Sequence, residues 1–384
     1  MTGLKGGGGL FGKKLTGAVF LLMLFAAPCL IAANGGTRAL LRAASSIYAP
    51  LNKLETAMTE QFPEADRLRK LEVSLSYMGG QKEQNGVFIS GDSLTLDVQP
   101  KSLSVINDNT LAMIDFADEH QIPSYVMLIP TACAVQQSKV PYDKVAPLYN
   151  QRQLIDDVYR RVSGHVTAID VYPTLFNHQD EYIYYNTDNT ITGLGGYYVY
   201  SAAAKNLLRS NPRGIDQFEV EHLDYDYYGD LYALSPYREV SADRVSVYSY
   251  ASRFRRDYIV THYDASGIRR YYTLYPRFRA ELDDAMGVVL GGMSPVIDIS
   301  IIGNTTNSKR LLLFGDRSVQ GYLPFLLAHY ERVTVIDTTQ ALPELLETIN
   351  LRDYSQVLFA WSVDHYVTAD QLSLLEHLGA ARES

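Results

Sequence analysis

The sequence predicts an α/β fold, a mostly parallel sheet flanked by helices, and three observations carry that expectation. Apolar runs of strand length alternate with amphipathic helical segments from Ser102 onward. Runs such as Tyr125 to Ile129 are apolar at every position, as a strand covered on both faces is, whereas a strand with one wet face would alternate. The stretch Glu181 to Tyr200 passes from a tyrosine-rich strand through a polar turn into a small-residue helix, the order in which α/β proteins present chemistry at the carboxyl end of a strand.

Composition narrows the class. A chain of 384 residues, 47% hydrophobic and 20% charged, is globular and long enough for one large domain or two small ones. Its net charge of −9 and the lack of any clustered basic stretch argue against nucleic acid as partner, since such binding displaces counterions with a basic face. Lys5, Lys13 and Lys14 precede an uncharged apolar run from Leu15 to Ala33. That run spans roughly 28 Å as a helix, close to a bilayer's hydrocarbon core. Positions 15–33 therefore read as a transmembrane anchor, or as a signal if cleaved. Positions 1–14 fall in the cytoplasm and everything after Asn34 outside it, the chain being either single-pass in the cell membrane or secreted. Cys133 then has no partner in the exported part, so no disulfide is expected within it.

Taken in order, positions 34–80 read as a helical stalk, with apolar Leu40, Leu41, Ile47, Leu51 and Leu54 at helical spacing and a second helix from Ala65 to Tyr77. A domain over 81–384 follows. Asn85-Gly86 and Gly91-Asp92 mark turns on either side of Val87 to Ile89, so a hairpin is expected there. Ser102 caps a helix to His120, which feeds the strand Tyr125 to Ile129; a helix from Asn150 to Val162 feeds the strand Val166 to Val171. Tyr182 to Tyr185 is expected as a strand, and Leu194, Gly195, Tyr198 and Ala202 share one face of the helix beyond the turn. Positions 214–275 change character, with four strand-like runs and turns such as Ala265-Ser266-Gly267, and read as an antiparallel β excursion. The alternation resumes with strands at Val296 to Ile302, Arg310 to Phe314, Val333 to Ile336 and Val357 to Trp361, and with helices at Ser318 to His329 and Leu342 to Asn350.

Candidate chemistry is sparse. Gly91-Asp92-Ser93-Leu94 spells the nucleophile block of GDSL hydrolases, yet it continues as strand, and none of the eight histidines has an aspartate three residues before it. It reads as hairpin turn chemistry. Gly315-Asp316-Arg317-Ser318 follows a strand and opens a helix, the context a nucleophile turn requires, with Ser318 as helix cap for the structural reading. Asp316 is then left to solvent or to Arg317. His365 follows Asp364 directly and reads as a loop histidine, because an adjacent acid does not usually orient its neighbour's ring. His165, His178 and His329 lie at element ends and read as surface or capping residues. No His, Cys and carboxylate spacing suggests a metal, and no cofactor motif is present. The 29 tyrosines suit sugar stacking or cross-strand packing.

Two blocks together resemble a known family. Tyr184-Tyr185-Asn186-Thr187-Asp188-Asn189-Thr190-Ile191-Thr192-Gly193-Leu194-Gly195 is similar to the first block of the DHHW proteins, roughly YYRTDHHWTSLGAYYAY, and Leu311 to Leu327 is similar to their second, roughly LLVIKDSYANSFVPFLL. Flanking similarity runs from about Leu54 to Leu375. The resemblance implies an SGNH-hydrolase-like fold, similar to the alginate O-acetylation proteins that move acetyl groups onto exopolysaccharide.

The departures fall on the chemistry. Asp188 matches the family's acid and Asp316 the aspartate before its serine, but Asn189 and Thr190 stand where it has histidines, Ile191 where it has tryptophan, and Arg317 at the nucleophile. A triad needs an imidazole to take the serine proton; threonine cannot accept it and a protonated arginine cannot attack. Asp188, Asn189, Thr190, Asp316, Arg317 and Ser318 are thus expected as a vestigial site, with Arg317 on Asp188. The chain reads as a catalytically silent envelope protein, a binding or scaffold component for exopolysaccharide or an acetylation-machinery protein. The rival reading is an active polysaccharide O-acetyl esterase or O-acetyltransferase using Ser318 or Ser93 with a histidine from elsewhere.

Overall fold

A computed structural model describes residues 65–378, apart from 142–147, 252–255, 283–284, 304–307, 369–371, 373 and 376–377. The expected anchor or signal at 15–33 and the first part of the stalk lie outside these residues. Among the described residues no helix is long and apolar enough to cross a membrane. The chain divides into two units, Met1–Gly79 and Gly80–Ser384. The first contributes helix α1, Ala65–Met78; all that follows concerns the second.

The predicted hairpin is present and extended by one short strand. β1 (Glu83–Gln84), β2 (Val87–Ser90) and β3 (Ser93–Leu96) form an antiparallel sheet. Asn85 and Gly86 both take positive φ, 54° and 79°, as a two-residue turn matching the strand twist requires. Ser90 pairs with Ser93 across the Gly91-Asp92 turn, so the hydrolase-like block at Ser93 is hairpin.

Eight strands form the main sheet, in the order β5 (Thr167–Ala168), β4 (Ser124–Ile129), β13 (Gln356–Ser362), β11 (Arg310–Gly315), β12 (Arg332–Asp337), β10 (Val296–Ile302), β8 (Asp257–Asp264), β9 (Gly267–Tyr271). The first five run parallel; β10, β8 and β9 add antiparallel pairings at one side. Both faces are covered, which explains the unbroken apolar runs. Val126, Leu128, Leu312, Phe314, Phe359 and Trp361 face one way. They pack on Met113 and Phe116 of α2 (Leu103–His120) and on Leu154, Ile155 and Val158 of α3 (Gln151–Val162). Met127, Ile129, Leu311, Leu313 and Leu358 face the other way, toward α4 (Gly193–Ala203) and α5 (Val319–Leu326).

Caps set the helix starts. The Ser102 hydroxyl accepts from the Val105 amide at 3.3 Å, Asn150 Oδ1 from Gln153 at 3.0 Å, and the Thr192 hydroxyl from Gly195 at 3.2 Å. Each satisfies an amide that the first turn leaves without an intrahelical acceptor.

Several expectations are corrected. The strand expected at Val166 to Val171 shrinks to β5, and Tyr182 to Tyr185 forms only a bridge between Tyr184 and Ile191. Tyr184 and Tyr185 are buried for tertiary reasons: the Tyr184 hydroxyl donates to the Pro130 carbonyl at 2.7 Å. The helix expected at Leu342 to Asn350 is a single turn, Pro343–Leu346. Only the first half of the expected 214–275 excursion stands apart, as the ribbon β6 (Phe218–Tyr227) and β7 (Asp243–Tyr250). Its second half, β8 and β9, extends the main sheet because β10, buried along most of its length, would otherwise present an apolar edge.

Helices α4 and α5 meet at bare backbone. A Cβ on Gly196 would lie 1.9 Å from the Gly321 carbonyl oxygen, and one on Gly321 2.8 Å from the Ile191 side chain. This contact fixes the start of α5 against the turn that precedes α4. Gly196→Ala is expected to lower stability by about 2 kcal/mol, measured by urea denaturation, because backbone must move to admit the methyl group.

Candidate functional site

The polar turn at 186–190 is pinned from below by a carboxylate that sequence reading passed over. Asp243, at the start of β7 and buried, accepts from the amides of Asn186 and Thr187 at 2.7 Å each, from the Thr187 hydroxyl at 2.5 Å and from the Tyr182 hydroxyl at 2.6 Å. Burial raises its pKa from the usual carboxylate value, and these four donors work the other way. The Leu94 amide, from the hairpin, donates to the Asn186 carbonyl at 2.7 Å.

So held, Asp188 sits at the centre of the site with its side chain 1% exposed. Its Oδ1 accepts from the Thr190 hydroxyl at 3.1 Å. Its Oδ2 accepts from Arg317 Nη2 at 2.7 Å, the Tyr227 hydroxyl at 2.5 Å and the Asp230 amide at 3.3 Å. Arg317, 27% exposed, also pairs through Nη1 with Asp230. Burial works against the guanidinium charge, but Asp188, Tyr227 and Asp230 outweigh it and hold the pKa above its usual value. Burial and then the Asp188 charge push the Tyr227 phenol upward too, so it stays a donor.

Gly229 is required beside them. A Cβ there would lie 2.3 Å from Asp188 Oδ2, while the Gly229 amide donates to the Thr187 hydroxyl at 2.9 Å. Gly229→Ala is expected to displace the Asp188 carboxylate and cost about 1 to 2 kcal/mol, read as a lowered urea midpoint at unchanged slope.

Asp316 turns away from Arg317 and belongs to a second ion pair. Fully buried, it accepts at Oδ1 from the Ser318 amide at 2.8 Å. At Oδ2 it accepts from the Ser362 amide at 2.8 Å and the Ser362 hydroxyl at 2.6 Å, and it contacts His365 Nδ1 at 3.0 Å. His365 is therefore no loop histidine: it sits on α6 (Val363–Thr368), oriented by an acid from the neighbouring parallel strand's end. Burial pulls its pKa down, but Asp316 raises it to about 9, so the imidazolium prevails at neutral pH. Burial raises Asp316, but His365 and the serine donors take it well below the usual carboxylate range.

The remaining expected residues divide. Thr190 joins Asp188, whereas Asn189 reaches elsewhere, its Nδ2 donating to Asp364 Oδ2 at 2.7 Å. Ile191 packs in the core against Gly321. Ser318 is buried at the start of α5 and its hydroxyl makes no cap bond; Asp316 takes its amide instead. Among the described residues the Ser93 and Ser318 hydroxyls have no hydrogen-bond partner. Ser362 lies 3.0 Å from His365 Nδ1, the same nitrogen that faces Asp316. In a triad the serine sits on the nitrogen opposite the acid, so these three groups do not form one.

Arg317, Asp230, Tyr227, Asp337 and His365 line one cleft of ≈ 500 Å³. It can bind a polar ligand and donate a proton to it, and among its described residues it offers no serine activated by an imidazole. Among the described residues no cluster of His, Cys and carboxylates could hold a metal ion. Tyr227, Asp230 and Asp243 carry no sequence signal beyond their place in the 214–275 stretch. His365 did carry one, because it follows a strand parallel to β11, as Arg317 follows β11 itself.

The sequence model described as "DHHW protein" matches residues 77–336. No curated protein matches the chain. Among solved structures, a DHHW family protein from Eubacterium siraeum is similar at 18% identity and a TM-score of 0.60, over 77% of this chain and 98% of that one. Bacillus cereus PatB1 with a sulfonyl adduct is similar at 14% identity and a TM-score of 0.61, over 75% and 98%. The O-acetyltransferase domain of Pseudomonas putida AlgJ follows at 12% identity and a TM-score of 0.43, over 73% and 92%. At these identities the likeness to the first two concerns the fold.

Proposed function

The chain belongs to the DHHW protein family, and from that premise we propose that it is a catalytically silent member, a cell-envelope protein that binds exopolysaccharide or an acetylation partner without acting on it. One observation carries the reading. Arg317 stands directly after Asp316, where the family block has its serine, and its guanidinium is engaged by Asp188 and Asp230. The acid that would orient a histidine is instead spent on a fixed cation, and Thr190, two residues beyond it, offers a hydroxyl where an imidazole would be needed. The cleft keeps its polar lining and so retains the means to hold sugar hydroxyls. Residues 15–33 are proposed to anchor this domain outside the cytoplasm.

A second reading, an active O-acetyl esterase or transferase, draws on His365, whose ring is oriented by Asp316 and reaches the cleft. It needs a nucleophile, and Ser362 donates to Asp316 rather than facing the free side of the ring. Treatment of the purified chain with a serine-directed fluorophosphonate separates the two. No label is expected; a label that disappears in His365→Ala would establish the second reading.

A further inference from the structure

We infer that the cleft holds its ligand as a pyranose ring stacked on Tyr228, with the hydroxyl edge of that ring read by the Asp230–Arg317 pair. This rests on the polysaccharide-binding reading above and deepens it to the chemical unit the cleft takes and the side chains that take it.

The end of β6 sends two tyrosines opposite ways, as neighbours on extended backbone do. Tyr227 turns inward, its hydroxyl on Asp188 and its ring edge against Tyr185 at 5.6 Å between centroids. Tyr228 lines the cleft and is 47% exposed. Its ring rests on that of Tyr232, with centroids 4.3 Å apart and planes tilted by 38°. The Tyr232 amide donates to the carbonyls of Thr187 and Gly229 at 3.1 Å each, which ties this residue to the turn that carries Asp188. Tyr228 is therefore a supported platform, and a ligand that stacks on it loses less binding energy to ordering than one that must immobilise a loose side chain.

The polar partners stand beside the platform. Asp230, two residues on, lines the same cleft with Arg317, and its side chain is 74% exposed. It meets Arg317 through Oδ2, so its other oxygen can accept a further hydrogen bond. Arg317 keeps N–H groups beyond those that its bonds to Asp188, Tyr227 and Asp230 use. A pyranose matches both halves of this arrangement. The C–H bonds of its face suit an aromatic ring, and of two neighbouring hydroxyls at its edge one can donate to the carboxylate while the next accepts from the guanidinium.

The test is calorimetric titration of the full chain in detergent with cellotriose, laminaritriose, chitotriose, maltotriose and a mannuronate trisaccharide. For the saccharide bound most tightly, Tyr228→Ala is expected to weaken affinity about tenfold, and Tyr228→Phe, which keeps the stacking face, to match wild type. Irradiation of tyrosine ring protons in wild type should also transfer saturation to the C–H protons of the bound sugar, and Tyr228→Ala should abolish that transfer. Affinity unchanged in Tyr228→Ala, an equal loss in Tyr228→Phe, or saturation transfer that is absent in wild type or kept in Tyr228→Ala overturns the inference and leaves the binding reading standing. Failure of every saccharide to bind overturns both.

Discussion

Arg317→Leu is expected to destabilise the fold by about 3 kcal/mol at neutral pH, measured by urea denaturation. Removing one partner of a buried pair leaves the other charge uncompensated, at roughly 3 to 5 kcal/mol, and the partial exposure of Arg317 places this case at the low end. Asp188 keeps Tyr227, Thr190 and the Asp230 amide, which is why the loss is not greater. Arg317→Lys should recover only part of it, because an ammonium lacks the planar fork that engages Asp188 and Asp230 at once. Asp188→Asn combined with Arg317→Leu should cost less than the sum of the two single changes, by at least about 1 kcal/mol. A loss below about 0.5 kcal/mol for Arg317→Leu would show that the pair is incidental.

Asp316→Asn should cost about 3 kcal/mol near pH 6 and shift the titration of His365. The amide cannot supply the acceptor charge that the Ser362 donors, the Ser318 amide and His365 share, and bonds to a charged acceptor are worth about twice their neutral equivalents. Its NH2 also meets donors on at least one side. With Asp316 neutral, burial opposes the imidazolium while Asp364 and Asp337 still favour it, so the His365 midpoint should fall from about 9 toward 6.5. Imidazole proton resonances followed against pH read this directly. The wild-type pH profile follows by linkage. His365, raised in the folded state, contributes fully below its unfolded value of 6.5, and that contribution is lost as pH rises through about 9. Asp316, lowered in the folded state, contributes above its unfolded value of 3.8 and loses this as pH falls toward the folded one. The stability difference between Asp316→Asn and wild type should therefore be greatest between those unfolded values and shrink as pH rises from 6.5 to about 9.

The strands of the parallel half were legible because they are buried on both faces, which writes an unbroken apolar run into each of β4, β11 and β13. The antiparallel half was legible as strands and misassigned in place. Runs at β8 and β9 look like those at β6 and β7, and only the apolar edge of β10 decides which pair joins the sheet. Tyr182 to Tyr185 misled for a related reason: tyrosines held by hydroxyl bonds to Pro130 and Asp243 mimic strand composition. In the site, Asp188 and Arg317 were legible from their place in two motif blocks. His365 was missed despite following an apolar strand, because the acid that orients it comes from another strand and its sequence neighbour Asp364 turns instead to Asn189. Asp243 was hidden likewise, lying far along the chain from the turn it holds.

Acetyl release from acetylated polysaccharide and from 4-nitrophenyl acetate, by wild type and by Thr190→His with Arg317→Ser, tests the central claim most directly. Wild type is expected to give no turnover above buffer, and the double variant, which returns an imidazole beside Asp188 and a hydroxyl to the family's serine position, to give a measurable rate. Turnover by wild type, lost on His365→Ala and kept in Arg317→Leu, would contradict the account.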